Sequence, residues 1–460
     1  MNPEAFSISD YLDQTFPCDC GKNHSTSLKD VDISSGAVEK LPHYIQKNGH
    51  RRSFLVCDAN TYKAGGKRVK EILDKAGCEN SLYVLNQEDV VPDEEALGEV
   101  IAAFDRSADL IIAVGTGTIN DLCKFISYKL GLDYFIVATA PSMDGFASDG
   151  APLIIRHLKT TYPTHIPQVI IGDLDILCKA PMNMITAGLG DILGKYTCIT
   201  DWKISHIVNA EYYCQNIVKM VDISIQKVVG NIELVKTRDP KVIGNIMEAL
   251  VLTGMAMGFA GNSRPASGSE HHISHFWEMK FLFEGRKPVL HGTKVGIGTV
   301  AVVYLYKELA KMSVDFEKAY RTVQNFDYGQ WEKKITATFG PAAPGVIELE
   351  KKAKKNAPRT HAVRIRSIEQ HWPEILEIIS RLPSVEEIET MLSRLDAPIN
   401  PRQVGVDDET VVDSILVAKE VRDRYTLLQL LWDLGIAEEM ALKAADYFKS
   451  QQPKDRDSAV

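Results

Sequence analysis

Cysteine is scarce: eight residues in a chain of 460 are too few for a disulfide scaffold. Six of them stand singly in apolar segments, so reduced thiols are the default. No apolar run approaches the roughly 18 to 20 residues needed to cross a bilayer. The N-terminus carries Glu4, Asp10 and Asp13 where a signal peptide needs a cationic start and an apolar core. Positive charge is also in deficit, with 52 Lys and Arg against 61 Asp and Glu, a net charge of −9. Binding nucleic acid takes clustered cations to neutralise phosphates, and nothing in the sequence recommends such a field. The 31 glycines and 20 prolines are too few for a collagenous or low-complexity chain. What is left is a globular, cytoplasmic protein without a membrane span, long enough for two or three domains.

The first third of the chain alternates. Ser53–Asp58, Ser81–Leu85, Leu110–Val114 and Tyr134–Ala138 read as short apolar strands, and Gln168–Ile171 as another. Between them Tyr62–Ala76, Pro92–Phe104 and Asn120–Leu130 have helical spacing. Continuous apolar strands alternating with helices predict a parallel sheet covered on both faces. From Thr160 to Pro181 turn residues interrupt the pattern. Beyond it Met182–Tyr213, Tyr213–Val235, Val242–Phe259 and Val412–Leu434 are helical in spacing, and Gly340–Ala357 is the best linker or surface-loop candidate. The fold class expected is α/β, a Rossmann-like parallel-sheet domain followed by an all-helical domain, with the boundary near Asp173.

Three segments carry chemistry. Val114-Gly-Thr-Gly-Thr-Ile-Asn-Asp121 is a Gly-rich turn between a strand and a helix. It lets the backbone approach a pyrophosphate closely and presents helix N–H groups to it; a tight structural turn would have the same sequence. Thr139-Ala-Pro-Ser-Met-Asp-Gly-Phe-Ala-Ser148 leaves the carboxyl end of a strand, where ligands of open α/β sheets bind. Thr139, Ser142 and Ser148 can hydrogen-bond a cofactor or substrate, and Asp144 can accept from a substrate hydroxyl. The third is sharpest: His271, His272, His275 and His291 put four of the 12 histidines within 21 residues. On a helix His271 and His275 share a face. Imidazoles with one carboxylate suit a divalent metal with an open position, and Asp191, in Gly-Leu-Gly-Asp191, is the best carboxylate. A solvated histidine face is the plain alternative. Cys18-Asp-Cys20-Gly-Lys-Asn-His24 groups three soft ligands, but a structural zinc site needs four and no second Cys pair follows. It reads as a turn in an N-terminal extension.

These segments resemble, in order, the sn-glycerol-1-phosphate dehydrogenases, a branch of the iron-containing alcohol dehydrogenase and dehydroquinate synthase superfamily. The match rests on Gly115–Asp121, Thr139–Gly145, Gly190-Asp-Ile-Leu-Gly-Lys195, Ser263–Glu278, His291-Gly292 and Ala418–Thr426. It spans about residues 30 to 437. Thr116 departs from the family's usual Gly, and the Cys-x-Cys extension and residues 325 to 380 inherit nothing. The resemblance implies an α/β dinucleotide-binding domain over 1–172, a helical metal- and substrate-binding domain over 173–460, and an active site in the cleft between them. It implies NAD(H) or NADP(H) binding at Gly117, Thr118, Ile119, Asn120, Asp121, Thr139, Ala140, Pro141, Ser142 and Ser148. It implies metal ligation by Asp191, His271 and His291, and substrate contact and catalysis by Asp144, Asp191 and His275. His272 has no family role and reads as a surface or supporting histidine.

The activity so implied is metal-assisted, reversible reduction of dihydroxyacetone phosphate, a small phosphorylated ketone, to sn-glycerol 1-phosphate, with Zn, Fe(II) or Ni as the cation. Three alternatives stay open: a glycerol or polyol dehydrogenase, a dehydroquinate-synthase-like enzyme, and a binding protein that has lost catalysis. The helical domain is also a candidate for an apolar homodimer face.

Overall fold

The computed structural model describes residues 7–451 except 88, 156–157, 323 and 325, so Glu4 lies outside the described residues. The chain forms two compact units, each built from two stretches: Met1–Ile192 with Cys214–Ala266, and Leu193–Tyr213 with Ser267–Val460.

The first unit is α/β. A small antiparallel hairpin, β1 (Thr15–Pro17) and β2 (Asn23–Ser25), precedes the main sheet. That sheet comprises β3 (Asp30–Asp32), β4 (Arg52–Asp58), β5 (Glu79–Leu85), β6 (Leu110–Gly115), β7 (Asp133–Ala138) and β10 (Val169–Ile171). Its order is β3-β10-β7-β6-β4-β5, and every pairing is parallel. All six residues of β6 are buried, which a strand achieves only when both faces of its sheet are covered. Leu55, Leu110, Ile112, Val114, Phe135 and Val137 join Leu41, Val69 and Leu73 of the flanking helices in one apolar core.

Two departures from expectation are local. Asp30–Asp32 has one apolar residue in three, too little for a sequence signal, yet it pairs with β10. Thr160–Pro163, read as turn residues, belong to β9 (Leu158–Pro163), paired antiparallel with β8 (Gly150–Ile155); the β-branched threonines and Tyr162 suit a pleated surface. The helix Pro240–Ala260 is long and apolar enough to cross a membrane by composition alone, with a window of mean hydropathy 1.6. In the protein 72% of that window is buried, as in a core helix.

Among its described residues the second unit has helices, turns and loops and no strand. Its first helix is Lys195–Asn209; the helix before Gly194, Met182–Leu193, belongs but for its last residue to the first unit, a division that the spacing alone does not mark. Helices Ser269–Phe283 and His291–Lys311 pack together, and Gly298 permits it: a Cβ there would lie 2.7 Å from the Glu270 carbonyl oxygen. The linker expected at Gly340–Ala357 is instead a short 3-10 turn and a helix, Ala343–Ala353. Its prolines fall at helix starts, where a missing N–H costs nothing, and Val346 and Ile347 give it an apolar face to bury.

Candidate active site

In the first unit the Gly-rich turn lies where β6 meets helix Gly117–Leu130. A Cβ on Gly115 would fall 2.7 Å from the Ile119 Cβ, so no larger residue fits. At Gly117 the nearest neighbour of an added Cβ would be Met143 at 3.7 Å, leaving the backbone approachable. Thr116 occupies the N-cap but makes no side-chain cap; its hydroxyl bonds to Ser142 instead. The first-turn amides of Gly117, Thr118 and Ile119 thus keep the unpartnered, positive character of a helix start.

The Thr139–Ser148 loop runs beside this turn, tied by the Thr139 N–H donating to the Gly115 carbonyl at 3.0 Å. Thr139, Ala140, Ser142, Asp144 and Ser148 are all buried. Two glycines of neighbouring helices clamp the loop. A Cβ on Gly188 would sit 1.9 Å from the Pro141 carbonyl oxygen, and one on Gly254 would sit 3.0 Å from that of Asp144. Three residues past Gly188 on the same helix, Asp191 is fully buried and accepts the Asp144 backbone N–H at 2.9 Å. The loop and the candidate ligand are therefore positioned together.

Sequence reasoning missed Lys124, a fully buried residue of this unit. Its ammonium donates to the Gly145 carbonyl at 2.8 Å, the Ser148 hydroxyl at 3.2 Å and the Gly150 carbonyl at 3.2 Å. Burial lowers its pKa, against the opposing charge of Asp121. Asp121 itself is pushed up to about 6, chiefly by burial, with Lys124 and Lys159 pulling it back. Asn120 is buried too, and its Oδ1 has no hydrogen-bond partner among the described residues. An orphaned acceptor in the turn is a feature a bound ligand would satisfy.

In the second unit three imidazoles converge. Ring centroids of His271 and His291 are 5.1 Å apart, His275 and His291 5.6 Å, and His271 and His275 6.0 Å. His271 is 4% exposed and His275 and His291 are partly buried, so the three are not a fully solvated face. His272 is fully buried, which excludes a surface position and leaves the supporting one; one residue on from His271, it points about 100° further round the helix. Donor atoms of His275, Glu278 and His291 also lie within 4.8 Å of one another.

The second missed residue is Glu270. Its Oε1 pairs with His271 Nδ1 at 2.7 Å and accepts the Gly268 N–H at 2.7 Å, while Oε2 accepts the Thr197 hydroxyl at 2.6 Å. Burial alone would raise this carboxyl, but the His271, Thr197 and Gly268 bonds hold it below the ordinary value. A carboxylate on Nδ1 leaves Nε2 as the coordinating nitrogen, the arrangement that orients metal-binding histidines. The backbone next to Glu270 is held by Asp201, which accepts the Ser269 N–H at 2.6 Å and the Tyr306 hydroxyl at 2.5 Å. The donors of this unit fit a borderline divalent cation in chemistry: imidazole, with one ring nitrogen held protonated away from the metal.

Residues 32–181 match the family described as iron-containing alcohol dehydrogenase. The glycerol-1-phosphate dehydrogenase [NAD(P)+] of Halalkalibacterium halodurans is 32% identical over 418 residues, spanning 90% of this chain and 95% of that one. The enzyme of the same name from Geobacillus thermodenitrificans is 33% identical over 423 residues, again 90% and 95%. The chain belongs to the glycerol-1-phosphate dehydrogenase family. The wider fold family agrees: a probable glycerol dehydrogenase from Sinorhizobium meliloti superposes with a TM-score of 0.57 at 15% identity, covering 92% of this chain and 97% of that one. That similarity concerns the fold alone, while the family assignment rests on the two sequence relatives.

Proposed function

We propose that this protein is an NAD(P)-dependent glycerol-1-phosphate dehydrogenase, interconverting dihydroxyacetone phosphate and sn-glycerol 1-phosphate. The observation that carries the reading is similarity across 90% of the chain to enzymes of that name. Residues 1–172 would hold the dinucleotide and residues 173–460 the metal and substrate. Asp191, His271 and His291 would hold one divalent cation, Zn, Fe(II) or Ni by donor type. When bound, that cation would supply Lewis-acid polarisation of the ketone, and the nicotinamide would supply the hydride.

The rest is done by the chain. The unpartnered amides of Gly117, Thr118 and Ile119 face the cofactor pyrophosphate, the side chains of Asn120 and Asp121 lie beside them, and Thr139 to Ser142 with Ser148 line its remaining path. Lys124 keeps that loop in place without touching the reaction. Glu270 holds His271 in one tautomer, so its metal-facing nitrogen carries no proton to lose first. Asp144 and His275 orient the substrate hydroxyls, and His275 moves the proton that balances hydride transfer. The test is NAD(P)H oxidation with dihydroxyacetone phosphate against dihydroxyacetone, with the product's configuration determined. Turnover specific to the phosphorylated ketone, giving the sn-1 product, is expected. Equal rates on both ketones would point to a polyol dehydrogenase instead, and phosphate release without net cofactor oxidation would point to a synthase.

A further inference from the structure

The N-terminal extension carries a second donor cluster that the dehydrogenase chemistry does not use. Strands β1 and β2 pair in the register Thr15 to Ser25, Phe16 to His24 and Pro17 to Asn23. The turn between them closes through the Cys18 N–H to the Lys22 carbonyl at 3.1 Å and the Gly21 N–H to the Cys18 carbonyl at 2.9 Å. Gly21 adopts φ +83°, a conformation only glycine takes without strain. Cys18, Cys20 and His24 are thereby gathered on one tight hairpin.

The fourth donor comes from far along the chain. Cys214, at the N-cap of helix Gln215–Val229, is 196 residues from Cys18 in sequence, yet their sulfurs are 3.6 Å apart. His24 Nε2 is 3.4 Å from the Cys20 sulfur and 3.6 Å from the Cys214 sulfur. One donor atom from each of the four residues lies within 4.8 Å of the other three. A tetrahedral zinc with bonds of about 2.3 Å to sulfur and about 2.0 Å to nitrogen sets its ligands about 3.8 Å (S to S) and about 3.5 Å (S to N) apart. Three of its six edges, at 3.4 to 3.6 Å, match that tetrahedron, and the other three lie within 4.8 Å.

The surroundings favour the same reading. His24 is 2% exposed and its Nδ1 lies 2.9 Å from the Phe259 carbonyl. A carbonyl has no proton to give, so Nδ1 donates and Nε2 offers its lone pair to the sulfurs. Phe16 and Phe259 pack on the ring at 5.6 and 5.8 Å. The Asn216 amide donates to the Cys18 sulfur at 3.3 Å, an N–H to sulfur bond that eases negative charge there. We infer that Cys18, Cys20, His24 and Cys214 form a structural site for a thiophilic tetrahedral dication, zinc by its ligand chemistry. Four protein donors close the coordination shell, so the site has no position for substrate. Its task is to clip a hairpin of three-residue strands, too small to be stable alone, onto the start of helix Gln215–Val229. Metal binding releases the thiol protons and consumes no oxidant.

The experiment is a cobalt(II) titration of the reduced, metal-free full-length protein. An intense near-ultraviolet thiolate-to-cobalt band is expected, saturating at one equivalent and bleached by one equivalent of zinc. An aspartate and two imidazoles contain no sulfur and cannot produce that band, so Asp191→Asn should leave it unchanged while Cys20→Ser weakens it and Cys214→Ser abolishes the tight site. Zinc should also shield three of the eight thiols from an alkylating reagent. The wild-type titration is decisive even if a cysteine variant fails to fold. No charge-transfer band from protein whose thiols are shown to be reduced would overturn the inference. So would a Cys18–Cys214 disulfide found by peptide mass in protein kept under reductant.

Discussion

Lys124 and Glu270 are both fully buried ions, and each organises the chemistry-bearing part of its own unit by opposite means. Lys124 is a cation that gathers acceptors: two backbone carbonyls and a hydroxyl of the loop between residues 145 and 150. Glu270 is an anion that gathers donors: a backbone N–H, a threonine hydroxyl and a histidine ring. The difference follows from what each must hold. A loop that leaves a strand exposes carbonyls, which only a donor can tether, and an ammonium offers three. A histidine that is to give a lone pair to a metal must be protonated on its other nitrogen, which only an acceptor can secure. In both cases hydrogen bonding adds to one nearby partner of opposite or potentially opposite charge, Asp121 at 3.9 Å from Lys124 and His271 at 2.7 Å from Glu270, in offsetting the desolvation penalty.

The comparison can be broken at several depths. The largest effect is expected from removing a proposed ligand: Asp191→Asn or His271→Ala should lose bound metal and turnover together, read by elemental analysis and NADH oxidation. Glu278→Gln, in contrast, should keep its metal; if it loses metal as Asp191→Asn does, the second donor group around His275 and His291 is the true one. Next comes Glu270→Gln, which keeps the shape but not the charge behind His271. A loss of roughly 10- to 100-fold in metal affinity is expected, measured by competition with a chromophoric chelator.

Lys124→Met should act on the cofactor side only. It removes three hydrogen bonds from the loop, where the Gly145 carbonyl keeps the Ser148 hydroxyl at 3.0 Å, at a cost of roughly 1–3 kcal/mol in stability, visible as a lower urea midpoint. A raised KM for NAD(P)H with metal content unchanged would separate it from Glu270→Gln. The smallest effect concerns pH. Asp201 is pushed up to about 6 by burial first and by the charge of Glu270 second. A carboxyl raised in the folded state stabilises the protein while it is protonated; that contribution is complete below about pH 4 and lost as pH rises through about 6. Urea midpoints of Asp201→Asn across this window should show a shallower decline than wild type. An identical decline would assign the pH dependence elsewhere.

Much of this was legible along the chain. Leu110–Val114 runs into Gly115 with no polar residue, and that pattern alone marks a covered parallel strand meeting a turn. The histidines at 271 and 275 lie one helical turn apart, so local spacing puts them on one face. The short strand Asp30–Asp32 was illegible because its stability comes from pairing with β10 rather than from its own side chains. The helix Ala343–Ala353 was misread because Pro and Gly were weighed as breakers when they mark its start. Lys124 resembles any lysine on an amphipathic helix, and Glu270 any acidic residue beside a histidine, until their burial is known.

Periodicity and turn chemistry, which act between residues a few positions apart, determined the fold class and the segments that bear the chemistry. Tertiary structure alone decided which charges are buried and what they grip. It also brought Cys214 to a hairpin that had seemed one ligand short. The reason is physical: desolvation and coordination depend on distances in space, and a separation of 196 residues along the chain leaves no trace of a 3.6 Å approach in the order of the amino acids.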